Sequence, residues 1–98
     1  MKLRWTARAS QDLKEIGHYI AEDNKIAARN WVERIRKQAQ NICQTPFAGR
    51  VVSELGQEDI REIVFGNYRI VYRVSKEVLE VLTVFEGHRL FRSDEIGK

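Results

Sequence analysis

Residues that could hold phosphate or move a proton are concentrated in the C-terminal half of the chain. The arginines Arg61, Arg69 and Arg89 could bind phosphate or carboxylate groups, and His88 carries the side chain that most readily exchanges a proton at neutral pH. RNA cleavage by attack of a 2′-hydroxyl needs a base, an acid and cations around the scissile phosphate. An arginine hardly ever loses its proton, so the set offers cations and one acid–base candidate. Because His88 follows Gly87, a solvated loop residue is its simpler interpretation.

Residues for other common site chemistries are scarce. His18 and His88 are far apart in the sequence, Cys43 has no neighbouring ligand, and no glycine-rich phosphate loop occurs. We therefore expect neither a metal nor a cofactor. A single cysteine excludes an intrachain disulfide and is most simply a small buried apolar residue in a reducing compartment.

The arginines lie on predicted β-strands, in which apolar residues alternate with polar ones. We predict strands at Arg50–Glu54, Ile60–Phe65, Tyr68–Val74 and Val78–Phe85. Gly66-Asn67 suits a two-residue hairpin turn, and Lys76-Glu77 predicts the next turn. The first turn would pair Phe65 with Tyr68, Ile63 with Ile70 and Arg61 with Tyr72. The second would pair Val74 with Leu79, Tyr72 with Val81, Ile70 with Thr83 and Tyr68 with Phe85.

This register divides the sheet into two faces. One face is strongly apolar and suits packing against helices, with Tyr68 and Tyr72 in the core. The outward face would present six residues that we predict to bind a partner: Val64, Arg69, Val71, Arg73, Leu82 and Val84. Arg73 would lie directly opposite Glu80. Exposed apolar residues around arginines indicate a binding surface, unless the Leu3 strand and the C-terminal tail cover them.

Two helices precede these strands. Thr6 is a plausible N-cap for a helix in which Ala9, Leu13, Ile16 and Ile20 share one face. After Asp23-Asn24, a second helix presents Ala28, Trp31, Ile35, Ala39 and Ile42, and it ends before Thr45-Pro46. The short turn requires the helices to pack antiparallel. The fold class is therefore α+β: a short N-terminal strand at Leu3–Trp5 and an antiparallel helix hairpin packed on an antiparallel sheet.

Composition limits the classes of protein that the chain could be. With 98 residues there is room for one domain and one core, so we expect a single domain over residues 1–98. The start lacks the apolar segment of a signal peptide, and no apolar run reaches the length of a membrane helix, so a cytoplasmic protein without membrane contact is expected. A net charge of +3 favours acidic partners, whether nucleic acid or protein.

Several fragments in order resemble one known family. They are Trp5, Ala9, Asp12-Leu13, Ile16 to Ile20, Pro46 to Arg50, Arg61-Glu62, Gly66 to Val74 and Gly87-His88-Arg89. Together they resemble the ParE branch of the RelE/ParE toxin superfamily, from Leu3 to about Phe91. The resemblance implies a bacterial cytoplasmic toxin that is neutralised by a cognate ParD-like antitoxin, for which the six outward residues are the expected contacts.

The resemblance leaves the target of the toxin open. The RelE branch consists of ribosome-dependent mRNA endonucleases, and in that interpretation Arg69, His88, Arg89 and Arg61 would form the catalytic set. The strand Ile60–Phe65 has no lysine, however, and the tail after Arg89 has no tyrosine, although Phe91 could stack on a base. The ParE branch inhibits DNA gyrase by binding, and we favour this activity, with Arg61, Arg89 and Phe91 as target contacts. A non-toxic binding relative is the third alternative.

Overall fold

The computed structural model describes residues 1–87, which form two helices and five strands. In chain order these are β1 Lys2–Trp5, α1 Ala7–Ala21, α2 Lys25–Ile42, β2 Arg50–Val51, β3 Ile60–Phe65, β4 Tyr68–Val74 and β5 Val78–Glu86. The predicted α+β fold is confirmed. β3 and β4 have the predicted bounds, whereas β2 is shorter than predicted because the chain turns at Ser53–Gly56.

The strands form one sheet in the order β1-β5-β4-β3-β2. The pairs β2–β3, β3–β4 and β4–β5 are antiparallel as predicted, but β1 runs parallel to β5. The sheet is therefore mixed rather than purely antiparallel. β1 is an edge strand at the far side of the sheet from β2, so it does not cover the outward faces of β3 and β4.

Side-chain caps fix the start of each helix. The hydroxyl of Thr6 accepts a hydrogen bond from the amide of Ala9 at 3.0 Å, and the side chain of Asn24 accepts one from the amide of Ala27 at 3.0 Å. These bonds satisfy amides that the first turn of a helix leaves without partners. The predicted N-cap at Thr6 is confirmed, and α2 ends at Ile42, before Thr45-Pro46.

The β3–β4 hairpin packs its tip against α2. Gly66 has a φ of 61°, and a Cβ atom there would lie 2.6 Å from the ring of Trp31, so this turn position needs glycine for two reasons. The Trp31 ring meets the rings of Phe65 and Tyr68 edge-on, each at 5.7 Å between centroids. Trp31 is thus half-buried against the hairpin and is not among the fully buried core residues.

A β-bulge in β5 changes the register that the sequence predicts. Val74 pairs with Leu79 and Tyr72 with Val81 as expected, but Val71 pairs with Thr83, which leaves Leu82 as an extra residue. The predicted pairs of Ile70 with Thr83 and Tyr68 with Phe85 are therefore wrong. The actual partners are Ile70 with Val84 and Tyr68 with Glu86.

The N-cap residue of α1 and Asp12 within this helix provide hydrogen-bond partners for polar groups at the bulge. The Thr6 hydroxyl donates to the carbonyl of Leu82 at 3.0 Å. One carboxylate oxygen of Asp12, Oδ2, accepts from the Thr83 hydroxyl at 2.5 Å and from the Val84 amide at 3.2 Å. The bulge and the start of α1 therefore stabilise each other. The polar groups of Leu82, Thr83 and Val84 find hydrogen-bond partners in the side chains of Thr6 and Asp12.

The core has two parts, one on each face of the sheet. The larger cluster lies between the helices and the sheet and includes Leu13, Ile35, Tyr72, Leu79 and Val84. The smaller cluster lies on the opposite face and consists of Val52, Ile60, Val71, Leu82 and Phe85, with Leu55 packed against it. Within residues 1–87, no helix combines the length and the apolar character that crossing a bilayer requires.

Candidate functional site

The outward face of the sheet carries an open cleft of about 560 Å³. The cleft lies between the hairpin tip and the segment that contains β2, so its two sides come from residues that are distant in the sequence. Its lining residues are Arg50, Val51, Ser53, Glu54, Glu62, Val64, Gly66, Asn67, Arg69 and Gly87. Two of the six predicted partner-binding residues, Val64 and Arg69, line it.

A buried carboxylate, Glu62, organises the charges of this cleft. Glu62 is only 5% exposed and accepts hydrogen bonds from two arginines. Arg69 donates from Nε to Glu62 Oε1 at 2.7 Å, and its Nη2 also donates to that oxygen. Arg50 donates from Nε to Glu62 Oε2 at 2.9 Å. The guanidinium of Arg69 also lies 5.1 Å from the ring centroid of Phe85.

The two arginines of this cluster differ in their access to solvent. The side chain of Arg69 is 13% exposed, whereas that of Arg50 is 69% exposed. The buried pair of Arg69 and Glu62 is largely structural, since its charges compensate each other away from water. Arg50 keeps most of its guanidinium towards solvent and is the cation of the cluster that a ligand in the cleft could reach.

Arg61 holds the chain after α2 onto the sheet. Its Nη1 donates to the carbonyls of Phe47 and Gly49, at 3.3 and 3.0 Å, and its Nε donates to the carbonyl of Glu58 at 2.9 Å. The guanidinium also lies 5.0 Å from the ring centroid of Phe47. Arg61, predicted as a catalytic or target-binding residue, is therefore occupied by contacts within its own chain.

Arg73 lies opposite Glu80 in the ladder, as predicted. Its ion pair is made instead with Asp59, at 3.5 Å between Nε and Oδ2. Both side chains are partly exposed, at 32% for Arg73 and 50% for Asp59. An exposed pair of this kind contributes about 0–1 kcal/mol, so Arg73 remains available to a partner.

The prediction of an exposed apolar surface is wrong for three residues. Val71 is 0%, Leu82 4% and Val84 2% exposed. Val71 and Leu82 do lie on the outward side, but Val52 and Leu55 fold over them. Val84 packs on the helix side, because the bulge reverses the alternation of β5 beyond Leu82. These three cannot form an open patch, whereas Val64 is 56% exposed.

The buried Tyr72 and the half-buried Tyr68 face the helix side of the sheet. The Tyr72 hydroxyl donates to the carbonyl of Pro46 at 2.8 Å and accepts from the amide of Gly49 at 3.2 Å. Burial raises the pKa of Tyr72, and burial together with the nearby Glu86 raises the pKa of Tyr68. Both phenols therefore keep their protons at neutral pH and do not act as bases.

The remaining predicted site residues, His88, Arg89 and Phe91, lie outside the described residues. Among residues 1–87, no group of three or more His, Cys, Asp or Glu side chains is arranged to hold a metal ion.

Sequence reasoning missed Glu62 and Asp12 as organising residues. Asp12 had a visible signal, because its spacing from Ala9 and Ile16 places it on the inward face of α1. Glu62 had a weaker signal in the sequence, because it falls on the same predicted face of the sheet as Arg69. What the sequence could not show is that the segment containing Val52 covers this face and buries the carboxylate.

Comparison with known proteins agrees with this fold. Residues 3–91 match the family described as the ParE toxin of the type II toxin-antitoxin system parDE. The chain is 38% identical over 91 residues to "Putative toxin Y4kP" of Sinorhizobium fredii, covering 90% of each protein. It is 30% identical over 87 residues to "Toxin RelE2" of Caulobacter vibrioides, covering 88% of this chain and 94% of the relative.

A solved structure shares the fold. It is described as "Chromosomal ParDE TA system from P. aeruginosa", and it matches with a TM-score of 0.73 at 22% identity, over 88% of this chain and 95% of that one. The family match covers most of the sequence, and both curated relatives are aligned over most of their lengths. The chain therefore belongs to the ParE toxin family of type II toxin-antitoxin systems.

Proposed function

We propose that this protein arrests growth by binding DNA gyrase, and that an antitoxin holds it inactive in the resting cell. The observation that carries the proposal is the use of Arg61 and Arg69 within the chain itself. Arg61 donates to three backbone carbonyls, and Arg69 is paired with the buried Glu62. Two of the three arginines expected to hold a scissile phosphate, Arg61 and Arg69, are thus committed to holding the fold together.

The chemistry of the described residues supports binding rather than cleavage. A ribonuclease site needs a base near the attacking hydroxyl, and the raised pKa values of Tyr68 and Tyr72 make them unsuitable for that role. Glu62 accepts hydrogen bonds from two arginines and is 5% exposed, so it is also poorly placed as a base. Gyrase is favoured as the target because the ParE branch inhibits gyrase by binding and needs no nuclease site.

An antitoxin is the second proposed partner. The open cleft presents the exposed Val64 beside Arg50, and Arg73 is also partly exposed on the sheet. A partner segment that folds on binding could place an apolar residue on Val64 and a carboxylate on Arg50. This smaller contact replaces the wide apolar face that the sequence predicted.

Expression in cells tests the proposed function. The gene is induced alone and together with the adjacent reading frame, and growth, plasmid supercoiling and mRNA integrity are measured in the same cultures. We expect growth arrest, relaxation of the plasmid and intact mRNA, with recovery when the adjacent reading frame is co-expressed.

The endonuclease is the second candidate because two of its expected residues, His88 and Arg89, lie outside the described residues. It predicts the opposite result: cut mRNA at ribosomes and normal plasmid supercoiling. In that case, His88→Ala should remove the cutting, while Lys76→Ala, in the exposed β4–β5 turn, should not. Absence of growth arrest would instead support a non-toxic binding relative.

A further inference from the structure

A pocket of about 410 Å³ opens between α1 and the end of β5. Its volume falls within the range of roughly 300–1,000 Å³ that is usual for ligand pockets. The amide of Val84 in β5 donates to Asp12 in α1 at 3.2 Å, and the pocket follows this contact along both elements. Its lining includes Glu15, Ile16 and Tyr19 from α1, Tyr68 from β4 and Glu86 from β5.

Two tyrosines give this pocket an aromatic wall. Tyr19 is 73% exposed, so most of its ring is open to solvent. Tyr68 is half-buried. Burial raises the pKa of Tyr68, and the neighbouring Glu86 and Tyr19 raise it further, so these three side chains lie within electrostatic reach of one another. Exposed aromatic side chains of this kind are enriched among the residues that anchor protein interfaces.

The pocket is acidic although the chain as a whole is basic. The chain has a net charge of +3, yet the described lining residues include Glu15 and Glu86 and no lysine, arginine or histidine. Both of these glutamates are exposed. Glu15 accepts a hydrogen bond from Nε2 of Gln11 at 3.1 Å, and within residues 1–87 neither glutamate forms an ion pair. Two negative charges are therefore available to a cation from outside the domain.

A basic side chain complements each feature of the pocket. An arginine or lysine placed over a tyrosine ring gains a cation–π interaction, and its N–H groups could donate to the two carboxylates. Its aliphatic stem could pack on Ile16. We propose that this pocket receives a basic side chain of the target protein, an inference that rests on the gyrase-binding function proposed above.

Charge separates this ligand from the other partners considered. The phosphates of a nucleic acid would be repelled by Glu15 and Glu86. An antitoxin segment that places a carboxylate on Arg50 in the outer cleft would be repelled in this pocket as well. The pocket therefore suits a partner surface of the opposite charge from the surface that suits the cleft.

A charge-reversal experiment tests the proposal. The pocket variant carries Glu15→Lys and Glu86→Lys, and the control variant carries Glu22→Lys and Glu77→Lys. Both sets change the net charge equally, and the control residues are exposed and do not line the pocket. For each variant we would measure the concentration that half-inhibits supercoiling by purified DNA gyrase, and the affinity for the purified product of the adjacent reading frame. Circular dichroism confirms that each variant folds.

We expect the pocket variant to require roughly tenfold more protein for half-inhibition, because its lysines would repel the basic side chain of the target. The control variant should inhibit nearly as well as the wild type, and both variants should retain antitoxin affinity. Equal losses of inhibition in the two variants would overturn the proposal, because net charge alone would then explain them. Wild-type inhibition by the pocket variant would also overturn it, while leaving gyrase as the target.

Substitution of Tyr19 tests the aromatic part of the site separately. Tyr19→Ala should weaken inhibition by about two- to fivefold, the equivalent of an exposed cation–π contact, whereas Tyr19→Phe keeps the ring and should inhibit like the wild type. An equal loss in both variants would contradict the cation–π contact. If the charge-reversed pocket variant unfolds, the neutral pair Glu15→Gln and Glu86→Gln replaces it, with wild-type inhibition as the overturning result.

Two outcomes would assign the pocket to another ligand and so overturn the proposal. The first is loss of antitoxin affinity in the pocket variant with gyrase inhibition retained. The second is calorimetric binding of free spermidine that the pocket variant loses while it still inhibits gyrase, which would indicate a site for a small cation. Failure of the folded wild-type chain to inhibit gyrase would refute the proposed target, and the pocket assignment with it.

Discussion

Glu62 and the two arginines that contact it determine what the outer cleft can bind. Glu62 and Arg69 are largely buried and compensate each other, whereas Arg50 is 69% exposed. Among residues 1–87, a ligand that enters the cleft therefore meets one accessible cation, Arg50, beside the exposed Val64. This arrangement suits a carboxylate of a partner protein better than a phosphate that must be held by several cations during cleavage.

Replacement of Glu62 should show how much the fold depends on this cluster. We expect Glu62→Gln to lower the free energy of unfolding by about 3 kcal/mol, because the guanidinium of Arg69 would be left mostly buried without its anion. Arg50→Ala should cost about 1 kcal/mol or less, since Arg50 is largely exposed. Urea denaturation of both variants measures the difference.

The double variant Glu62→Leu with Arg69→Met provides the control for this interpretation. Removal of both buried charges should restore most of the lost stability. A double variant that is less stable than Glu62→Gln would contradict the ion-pair explanation.

Ionisation of Tyr72 should lower the stability of the folded protein at alkaline pH. Burial raises its pKa above the ordinary value of 10.0, so the folded state favours the protonated phenol. Its contribution is complete below about pH 10 and is lost as the pH rises through the raised folded pKa. We expect Tyr72→Phe to be less stable at neutral pH by about 1–3 kcal/mol, because Gly49 loses the acceptor for its buried amide.

The free energy of unfolding of Tyr72→Phe should also fall less than that of the wild type as the pH rises into the alkaline range. Denaturation at about pH 8 and about pH 11 measures the slope, and part of it should persist because the pKa of Tyr68 is raised as well. An unchanged slope in Tyr72→Phe would show that other groups cause the alkaline loss.

The contact between α1 and β5 is the main link between the helical and sheet parts at the level of elements. It is made at the bulge, where Asp12 accepts from Thr83 and Val84 and Thr6 donates to Leu82. The bulge also decides which residues face the helices, since Val84 would otherwise point outward. A polar contact between α1 and β5 thus determines the composition of the core.

Removal of the Asp12 carboxylate should weaken this link. We expect Asp12→Ala to destabilise the protein by about 2–4 kcal/mol, because two charge-assisted hydrogen bonds are lost and the Val84 amide is left without a partner. Thermal unfolding measures the effect. Asp23→Ala, which removes an exposed carboxylate from the α1–α2 turn, is the matched control and should change stability by about 0.5 kcal/mol or less.

Two valines of neighbouring strands separate folding from partner binding. Val71→Asp should prevent folding, because it places a charge at a fully buried position. Val64→Asp should leave the fold intact, since Val64 is 56% exposed, but should reduce co-purification with the product of the adjacent reading frame. Full co-purification of a folded Val64→Asp variant would show that the outer cleft does not contact the antitoxin.

Helices and strands could be predicted where the residues that determine them are close together in the sequence. The period of the apolar residues, the cap at Thr6 and the Gly66-Asn67 turn predicted α1, α2 and the β3–β4 hairpin with close bounds. The bulge was not predictable, because Leu82 looks like any strand residue and the groups that stabilise the bulge come from α1. The error moved Val84 and Phe85 to the wrong faces.

For the molecule as a whole, the fold and the family were easier to predict from the sequence than the site. The order of fragments along the chain pointed to the RelE/ParE superfamily, and the family match confirms it. The candidate site was only partly predictable, because exposure depends on tertiary packing: the segment from Val52 to Leu55 folds over Val71 and Leu82. Arg61 was found as a residue of interest, but its bonds to distant carbonyls could not be inferred.

The molecule also separates its charged surfaces. The outer cleft offers Arg50 and Val64, while the groove between the helices is lined by Lys14, Arg29 and Arg36 beside the apolar Leu13 and Val32. A partner that contacts both regions would have to extend around the domain, which a segment that folds on binding can do.

Supercoiling by purified DNA gyrase, titrated with this protein, tests the central claim most directly. We predict loss of supercoiling as the protein approaches the concentration of gyrase, reversal by the product of the adjacent reading frame, and no cleavage of mRNA on ribosomes in a parallel reaction. Full gyrase activity at a large excess of folded protein, together with cut ribosome-bound mRNA, would contradict the account.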